Sequence, residues 1–341
     1  MKIIAYYLII TFCFILPVHP AHSQGTGNYE RDSIDLTRIQ RLTIHLENEY
    51  GTSSALDLPF KDVRVEDVRF DTTYIGIYSK LTTGFVTPVI DNYKINLDGG
   101  LAHSFKNYLE GVFKNPQSGQ ENEVVCFIKS LTVVRRDTLT ETSSMYNKYG
   151  TMKFDVEVFL HSGSNYFAAF KIDTVLNSMV NIQKRQVGED MVQNFLMPAV
   201  RLMARQISNT NWQSIAKRKA FTGDFVETHY FTSRFNLPVL TEPWKKGVYR
   251  NFTEFKNNAP GIENFNLTKE KFKTILLSDS KGDLIPTTKM FGYCDGEKCW
   301  ILMGNYPFPL VRTGNGFEFF LSANKRTKLL LALDMEKGSL D

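Results

Sequence analysis

Cys294-Asp295-Gly296-Glu297-Lys298-Cys299 holds the only two cysteines of this 341-residue chain that stand close together in sequence. If Asp295 to Lys298 form a four-residue loop, the two thiols face each other across a hairpin mouth, and an oxidising compartment can join them as a disulfide. Tyr293 then opposes Trp300. If Asp295-Gly296 is instead a two-residue turn, Cys294 opposes Glu297, the bond becomes diagonal, and the thiols stay free. A zinc site would need two further ligands, and no Cys-x-x-Cys or close histidine pair supplies them. No metal and no cofactor is therefore expected.

The remaining reactive side chains are scattered. Cys126 stands between Val125 and Phe127 in an apolar run and reads as a small buried residue. His45, His103, His161 and His229 show neither His-x-His nor His-Glu-x-x-His spacing. Glu66-Asp67 would point to opposite faces of a strand, and Glu189-Asp190 reads as favourable charge at a helix start. No Gly-x-Ser-x-Gly elbow, Gly-Lys-Ser/Thr phosphate loop or Gly-x-Gly-x-x-Gly fingerprint occurs. Lys184-Arg185 and Lys217-Arg218-Lys219 read as solvated loop charge. Aromatics interleave poorly with them, so nucleic acid is not an expected partner. No catalytic residue can be named from the sequence.

The N-terminus speaks of compartment. Lys2 precedes an apolar run from Ile3 to Val18, followed by Pro20, Ala21-His22-Ser23 and Gln24, which reads as a signal peptide over 1–23 cleaved after Ser23. The run is shorter than the roughly 20 residues of a spanning helix. No second long apolar run follows, so no transmembrane segment is expected after cleavage. Cys13 lies inside the run behind Phe12, not at its end behind a small residue, which argues against lipidation. A net charge of +4 creates no strong field toward polyanions. The rest of the chain is long enough for two cores.

Periodicity then places the elements. Residues 24–60 form an N-terminal extension: Leu36, Ile39, Leu42 and Leu46 recur at helical spacing, while Ser33 to Ile39 also alternates as a strand would. Val63 and Val65 alternate with charges, then Val68 and Phe70 continue out of phase, which predicts a bulge near Asp67. Leu101, Phe105, Tyr108, Leu109 and Val112 form one helical stripe. Val124 to Val134 reads as a strand covered on both faces. Met152–Leu160 and Tyr166–Ile172 flank Ser162-Gly163-Ser164-Asn165 as a hairpin. A second helix, about Asp190 to Ile207, should kink at Pro198. The polar stretch Asn209 to Phe225 marks a boundary. Beyond it, Asn251-Phe252-Thr253-Glu254 predicts a capping box, and Asp295-Gly296 and Asn315-Gly316 predict hairpin turns with positive φ. The expected fold is α+β: an α/β sandwich over 61–225, a mixed or antiparallel sheet with two helices, followed by a smaller β-rich antiparallel domain over 226–341.

Two resemblances accompany this order of elements. Val63-Arg64-Val65-Glu66-Asp67-Val68-Arg69, with Asp71 and Ile75-Gly76, resembles the opening of small envelope domains of Gram-negative auxiliary lipoproteins, including the YajG-like and LptE-like groups. The chain departs from them in having no cysteine after the leader. Gly247-Val248-Tyr249, Phe252 to Pro260, Tyr293 to Gly296 and Phe317-Glu318-Phe319-Phe320 resemble a β-rich module of secreted Bacteroidetes proteins. The resemblances imply a lineage and a compartment, and no activity.

Together these readings predict a periplasmic or secreted, non-enzymatic binding or assembly protein whose partner is an envelope protein or glycolipid. Tyr249, Phe252, Trp244 and Trp300 are candidate anchors, each with a competing role in the core. The alternative is a secreted hydrolase with a dispersed site at the domain junction, converging on His161 or His229.

Overall fold

Long runs of β-branched and aromatic residues build one dominant sheet, and its central strand explains the rest. A computed structural model of the chain describes residues 39–46, 60–83, 88–113, 121–140, 143–180, 190–270, 274–322 and 328–340. The leader, Lys184-Arg185 and most of the 24–60 extension lie outside them. Within the extension, Gln40–Ile44 is a strand.

The sheet contains β1 (Gln40–Ile44), β2 (Asp62–Asp67), β3 (Gly76–Thr83), β4 (Pro88–Leu97), β5 (Glu123–Thr140), β6 (Ser143–Ser162), β7 (Asn165–Val180) and β8 (Ala220–Thr222). Its order is β1-β4-β3-β5-β6-β7-β8, with β2 also on β5. Parallel pairs (β1 with β4, β2 and β3 with β5) mix with antiparallel ones. The β6–β7 hairpin turns at Gly163-Ser164, where Gly163 takes φ 60°.

β2 and β3 lie end to end along one side of β5. β2 pairs with Glu123–Ile128 and β3 with Val133–Arg136. Between them the chain leaves the sheet from Arg69 to Tyr74, with Val68 N still bonded to Ile128 O and Ile75 O to Val133 N. The phase slip at Asp67 is therefore a strand end and not a bulge in β2. The bulge lies on β5, where the register with β6 jumps from Ile128 to Ser130 and skips Lys129. The apolar runs on both sides of Lys129-Ser130 hide it from any alternation pattern.

One face of the sheet carries the main core. α1 (Leu101–Val112) packs Phe105, Tyr108 and Leu109 against Val63, Val124, Cys126, Phe154 and Val156. α2 (Met197–Asn209) follows a π-helical stretch, Val192–Leu196, in which the Met197 amide reaches back to Val192 O. That wider turn sits directly before Pro198, whose missing N–H would otherwise break an α-helical ladder. Asp190, read from sequence as a helix-start charge, lies in helical backbone and is buried in an ion pair with Arg135 of β5, and Arg135 also lies 5.6 Å from the Tyr78 ring.

The expected boundary stretch contributes to the sheet: Trp212–Ile215 is a short helix and β8 pairs with Asn165–Phe167. After a helical segment over 223–233 come β9 (Gly247–Tyr249), β10 (Phe265–Lys269), β11 (Ile275–Asp279), β12 (Leu284–Ile285), β13 (Gly292–Cys294), β14 (Cys299–Met303), β15 (Tyr306–Pro309), β16 (Val311–Thr313), β17 (Gly316–Ser322) and β18 (Lys328–Leu333). They make three small sheets, β10-β11-β12, β15-β14-β13-β9 and β16-β17-β18. The fold is α+β, a large mixed sheet with smaller antiparallel ones.

Two local predictions are refined. Asn251 caps the helix Phe252–Lys256 by accepting from Glu254 N at 3.0 Å, but the Glu254 carboxylate accepts from Arg250 N and Gly261 N, one residue further out than a capping box requires. In the β16–β17 turn the positive φ falls on Gly314 and not on Asn315-Gly316, because Thr313 pairs with Gly316 and makes Gly314-Asn315 the two-residue turn.

Candidate functional site

The interruption between β2 and β3 leaves a stretch of β5, Lys129 to Thr132, without a strand on that side. Backbone groups there still need partners. Arg69, 6% exposed, supplies them: Nη1 donates to Tyr74 O at 2.8 Å and Leu131 O at 3.1 Å, while Nε and Nη2 grip both oxygens of Asp67 at 2.7 Å. A planar five-donor fork suits this task; an ammonium does not.

Above the gap lies a small, half-open cleft of about 80 Å³. Its floor is Arg69, Lys129, Ser130 and Thr132. Its far wall comes from the C-terminal strands and the turn after β18, notably Thr313, Asp334 and Glu336. A smaller cavity bounded by Lys153, Asp155, Asp173 and Lys337 lies on the other side of the same turn. The turn is fixed by Asp334 Oδ1, which accepts from the Glu336 and Lys337 amides, and by Met335, which is buried in the C-terminal core.

Charges in and beside the cleft are joined pairwise across distant segments. Lys129 Nζ lies 2.8 Å from Glu157 Oε1, whose other oxygen accepts from the Tyr230 hydroxyl. Arg234 pairs with Glu336, donates to Lys129 O at 2.9 Å and lies over the Phe70 ring at 4.8 Å. Lys153 reaches Asp334 at 3.5 Å and Ser339 Oγ at 2.9 Å. Burial alone would raise the Glu157 carboxyl, but the Lys129 and Tyr230 hydrogen bonds and the Lys129 and Lys171 charges hold it below the usual glutamate range. Burial, then Glu157, pushes the Tyr230 phenol upward. Tyr230 also stacks on Phe127 at 4.1 Å, so the helical segment over 223–233 is pinned to the sheet by ring and hydroxyl together. Asp71 Oδ2 and Thr313 Oγ1, both in residues lining the cleft, have no hydrogen-bond partner among the described residues.

The residues singled out from sequence lie elsewhere. Cys294 and Cys299 are directly opposed, with Cα atoms 4.1 Å apart, and form a disulfide closing the loop Asp295–Lys298; Tyr293 stacks on Trp300 at 4.8 Å. Cys126 is fully buried, and burial pushes its thiol far above the ordinary range. His161 Nδ1 lies 3.2 Å from Glu123 Oε2 and its ring stacks on Tyr166, whose hydroxyl accepts from Arg64 Nη2. His229 stacks on Phe225 at 5.9 Å, His103 contacts Asn107, and His45 pairs with Asp98 at 3.1 Å. Neither His161 nor His229 lines either cavity described above. Among the described residues no three His, Cys, Asp or Glu side chains gather as a metal site. Tyr249 and Trp300 are buried, and Trp244 and Phe252 pack on the C-terminal core. Among the described residues the exposed aromatics are Tyr149, Phe225, Phe231 and Tyr306. The cleft itself left no trace in the sequence, since its lining comes from four separated stretches, 69–75, 129–132, 313–317 and 332–336.

Among the described residues no helix is long and apolar enough to cross a membrane. No family model matches the chain, and no curated protein does. One solved structure, described as that of an uncharacterized protein, is similar at 15% identity with a TM-score of 0.22, over 50% of this chain and 95% of that one.

Proposed function

We propose that this chain is an exported, envelope-associated protein that binds or helps assemble a partner, an envelope protein or a glycolipid, and carries out no covalent chemistry. In this reading the leader over 1–23 is removed after Ser23, no lipid anchor replaces it, and two domains, an α/β sandwich over 61–225 and an antiparallel unit over 226–341, are fastened along the outer face of the large sheet. The observation that carries it is the pairwise engagement of the charged groups about the cleft. Lys129, Arg234 and Lys153 each hold a carboxylate from another part of the chain, which suits them to shape and rigidity more than to proton transfer. Phe225, 53% exposed and stacked on His229, gives the helical segment over 223–233 an exposed aromatic of the kind that anchors partners.

The test is photo-crosslinking of the exported full chain in its own cells, with the reactive group placed at Phe225 or at Tyr306. A single stoichiometric envelope partner captured at Phe225 and not at Tyr306 supports the proposal. A second reading, hydrolysis, has one specific observation in its favour, the His161–Glu123 contact at 3.2 Å. Turnover of ester or amide substrates that vanishes in His161→Ala and falls in Glu123→Gln would replace binding with catalysis.

A further inference from the structure

Among the described residues, one border of the large sheet is guarded along about a third of its length only. β8 pairs with Asn165–Phe167 and stops. Arg218 continues the cover for two residues, its Nη1 donating to Ala168 O at 2.8 Å and Ala169 O at 2.9 Å. From Phe170 to Val180 β7 is paired with β6 on one side, and no strand among the described residues pairs with the other.

A strand border left open in this way is a template for another strand, and proteins that keep one unpaired normally protect it with proline, a bulge, or charge. None of these protects the middle of this stretch. It contains no Pro and no Gly, and its last charge is Asp173, leaving Thr174-Val175-Leu176-Asn177-Ser178 neutral and rich in strand-forming residues. Val175 is 52% exposed.

The sequence of this stretch is also complementary to itself. Antiparallel pairing of two copies about a two-fold axis through Val175 sets Val175 against Val175, Thr174 against Leu176, Asp173 against Asn177 and Ile172 against Ser178. Side chains that share a face of β7 then share a face of the joined sheet. No like charges meet. Moving the axis to Asp173 would oppose two carboxylates, which is unfavourable, and would bring the β8 of each copy toward the end of the opposing strand. We propose that the occupant of this border is a second copy of the chain, joined β7 to β7 about Val175 as a symmetric dimer with one continuous sheet.

The test uses the full chain with single cysteines on β7. Of the native cysteines, Cys126 is buried and Cys294 and Cys299 are joined, and Cys13 is replaced by Ser in every variant. Val175→Cys should form a covalent dimer by itself, because directly opposed residues have Cα atoms about 4.5–5.5 Å apart. Asp173→Cys and Asn177→Cys should each fail alone and crosslink when mixed. In sedimentation velocity the wild type should show twice the mass of one chain, and Val175→Lys, which opposes two ammonium groups on the axis, should weaken the dimer by at least about tenfold with an unchanged circular dichroism spectrum. A monomeric wild type, a dimer untouched by Val175→Lys, or equal crosslinking of Asp173→Cys and Val175→Cys alone would each overturn the proposal. A partner strand of another protein protecting Val175, with this chain monomeric, would overturn it as well.

Discussion

The two faces of the large sheet are covered by different means. On one, α1, the π-helical stretch before α2, and α2 itself lay Phe105, Leu109, Phe195 and Met203 over Val124, Phe154 and Val156, with the buried ion pair Arg135–Asp190 among apolar side chains. On the other, the helical segment over 223–233 and the C-terminal strands meet the sheet partly through polar contacts: Lys94 pairs with Glu318 and Lys153 with Asp334, Glu157, held by Lys129 on the neighbouring strand, accepts from Tyr230, and Arg234 donates to Lys129 O while pairing with Glu336. The first face is a core in the ordinary sense, where tight packing stabilises. The second behaves as an interface within the chain, in which each carboxylate selects the position of a distant segment.

Phe154 lies at the centre of the first face, 1% exposed and edge-on to Phe105. Phe154→Ala should cost about 3–5 kcal/mol in denaturant unfolding, the largest single loss expected, and a value near 1 would mean that the helix layer is not the main source of stability. Asp190→Ala should cost about 3–5 kcal/mol by leaving Arg135 buried and unpaired, whereas Arg135→Met with Asp190→Leu should fold with equal or higher stability. If the double variant is as weak as the single one, the pair itself and not its isolation matters.

The opposite face should respond less. Glu336→Ala removes the partner of Arg234, whose side chain is 8% exposed, and should cost about 1–3 kcal/mol. Hydrogen exchange would sharpen the result, with protection lost around 334–339 and 228–234 and kept in α1. The smallest effect is one of pH. Glu157 is held below its ordinary range in the folded state, so it stabilises the fold above the free glutamate value of about 4.3, and that contribution disappears as pH falls through the lower folded value. Glu157→Gln should flatten the melting temperature between about pH 5 and pH 3. An unchanged slope would place the acid sensitivity elsewhere.

Legibility followed the same division. The stripe Leu101, Phe105, Tyr108 and Leu109 and the alternation from Met152 to Leu160 repeat at the period of their own element, so α1 and the β6–β7 hairpin could be placed from spacing alone. The loop between Cys294 and Cys299 was readable as two alternatives because local turn chemistry limits the register. The other face was not legible. Arg234 and Glu336 are 102 positions apart and Lys153 and Asp334 are 181 apart, and charges paired over such separations leave no period. Asp190 was read by its neighbourhood in sequence as a helix-start charge, although its partner stands on β5. The slip after Val65 was visible, but alternation alone does not separate a bulge from a strand that ends and resumes.

That resumption has a consequence for how the fold can vary. With Asp67 holding its guanidinium, Arg69 works as a splice: it ties Leu131 O of β5 to Tyr74 O of the detour, while the backbone rejoins the sheet in the same column. Residues Asp71 to Thr73 sit at the far side of the detour, so chain inserted there lengthens the loop over the cleft without sliding β3 along β5. Length at this point is free, and what enters the mouth of the cleft can change while the sheet beneath it stays as it is.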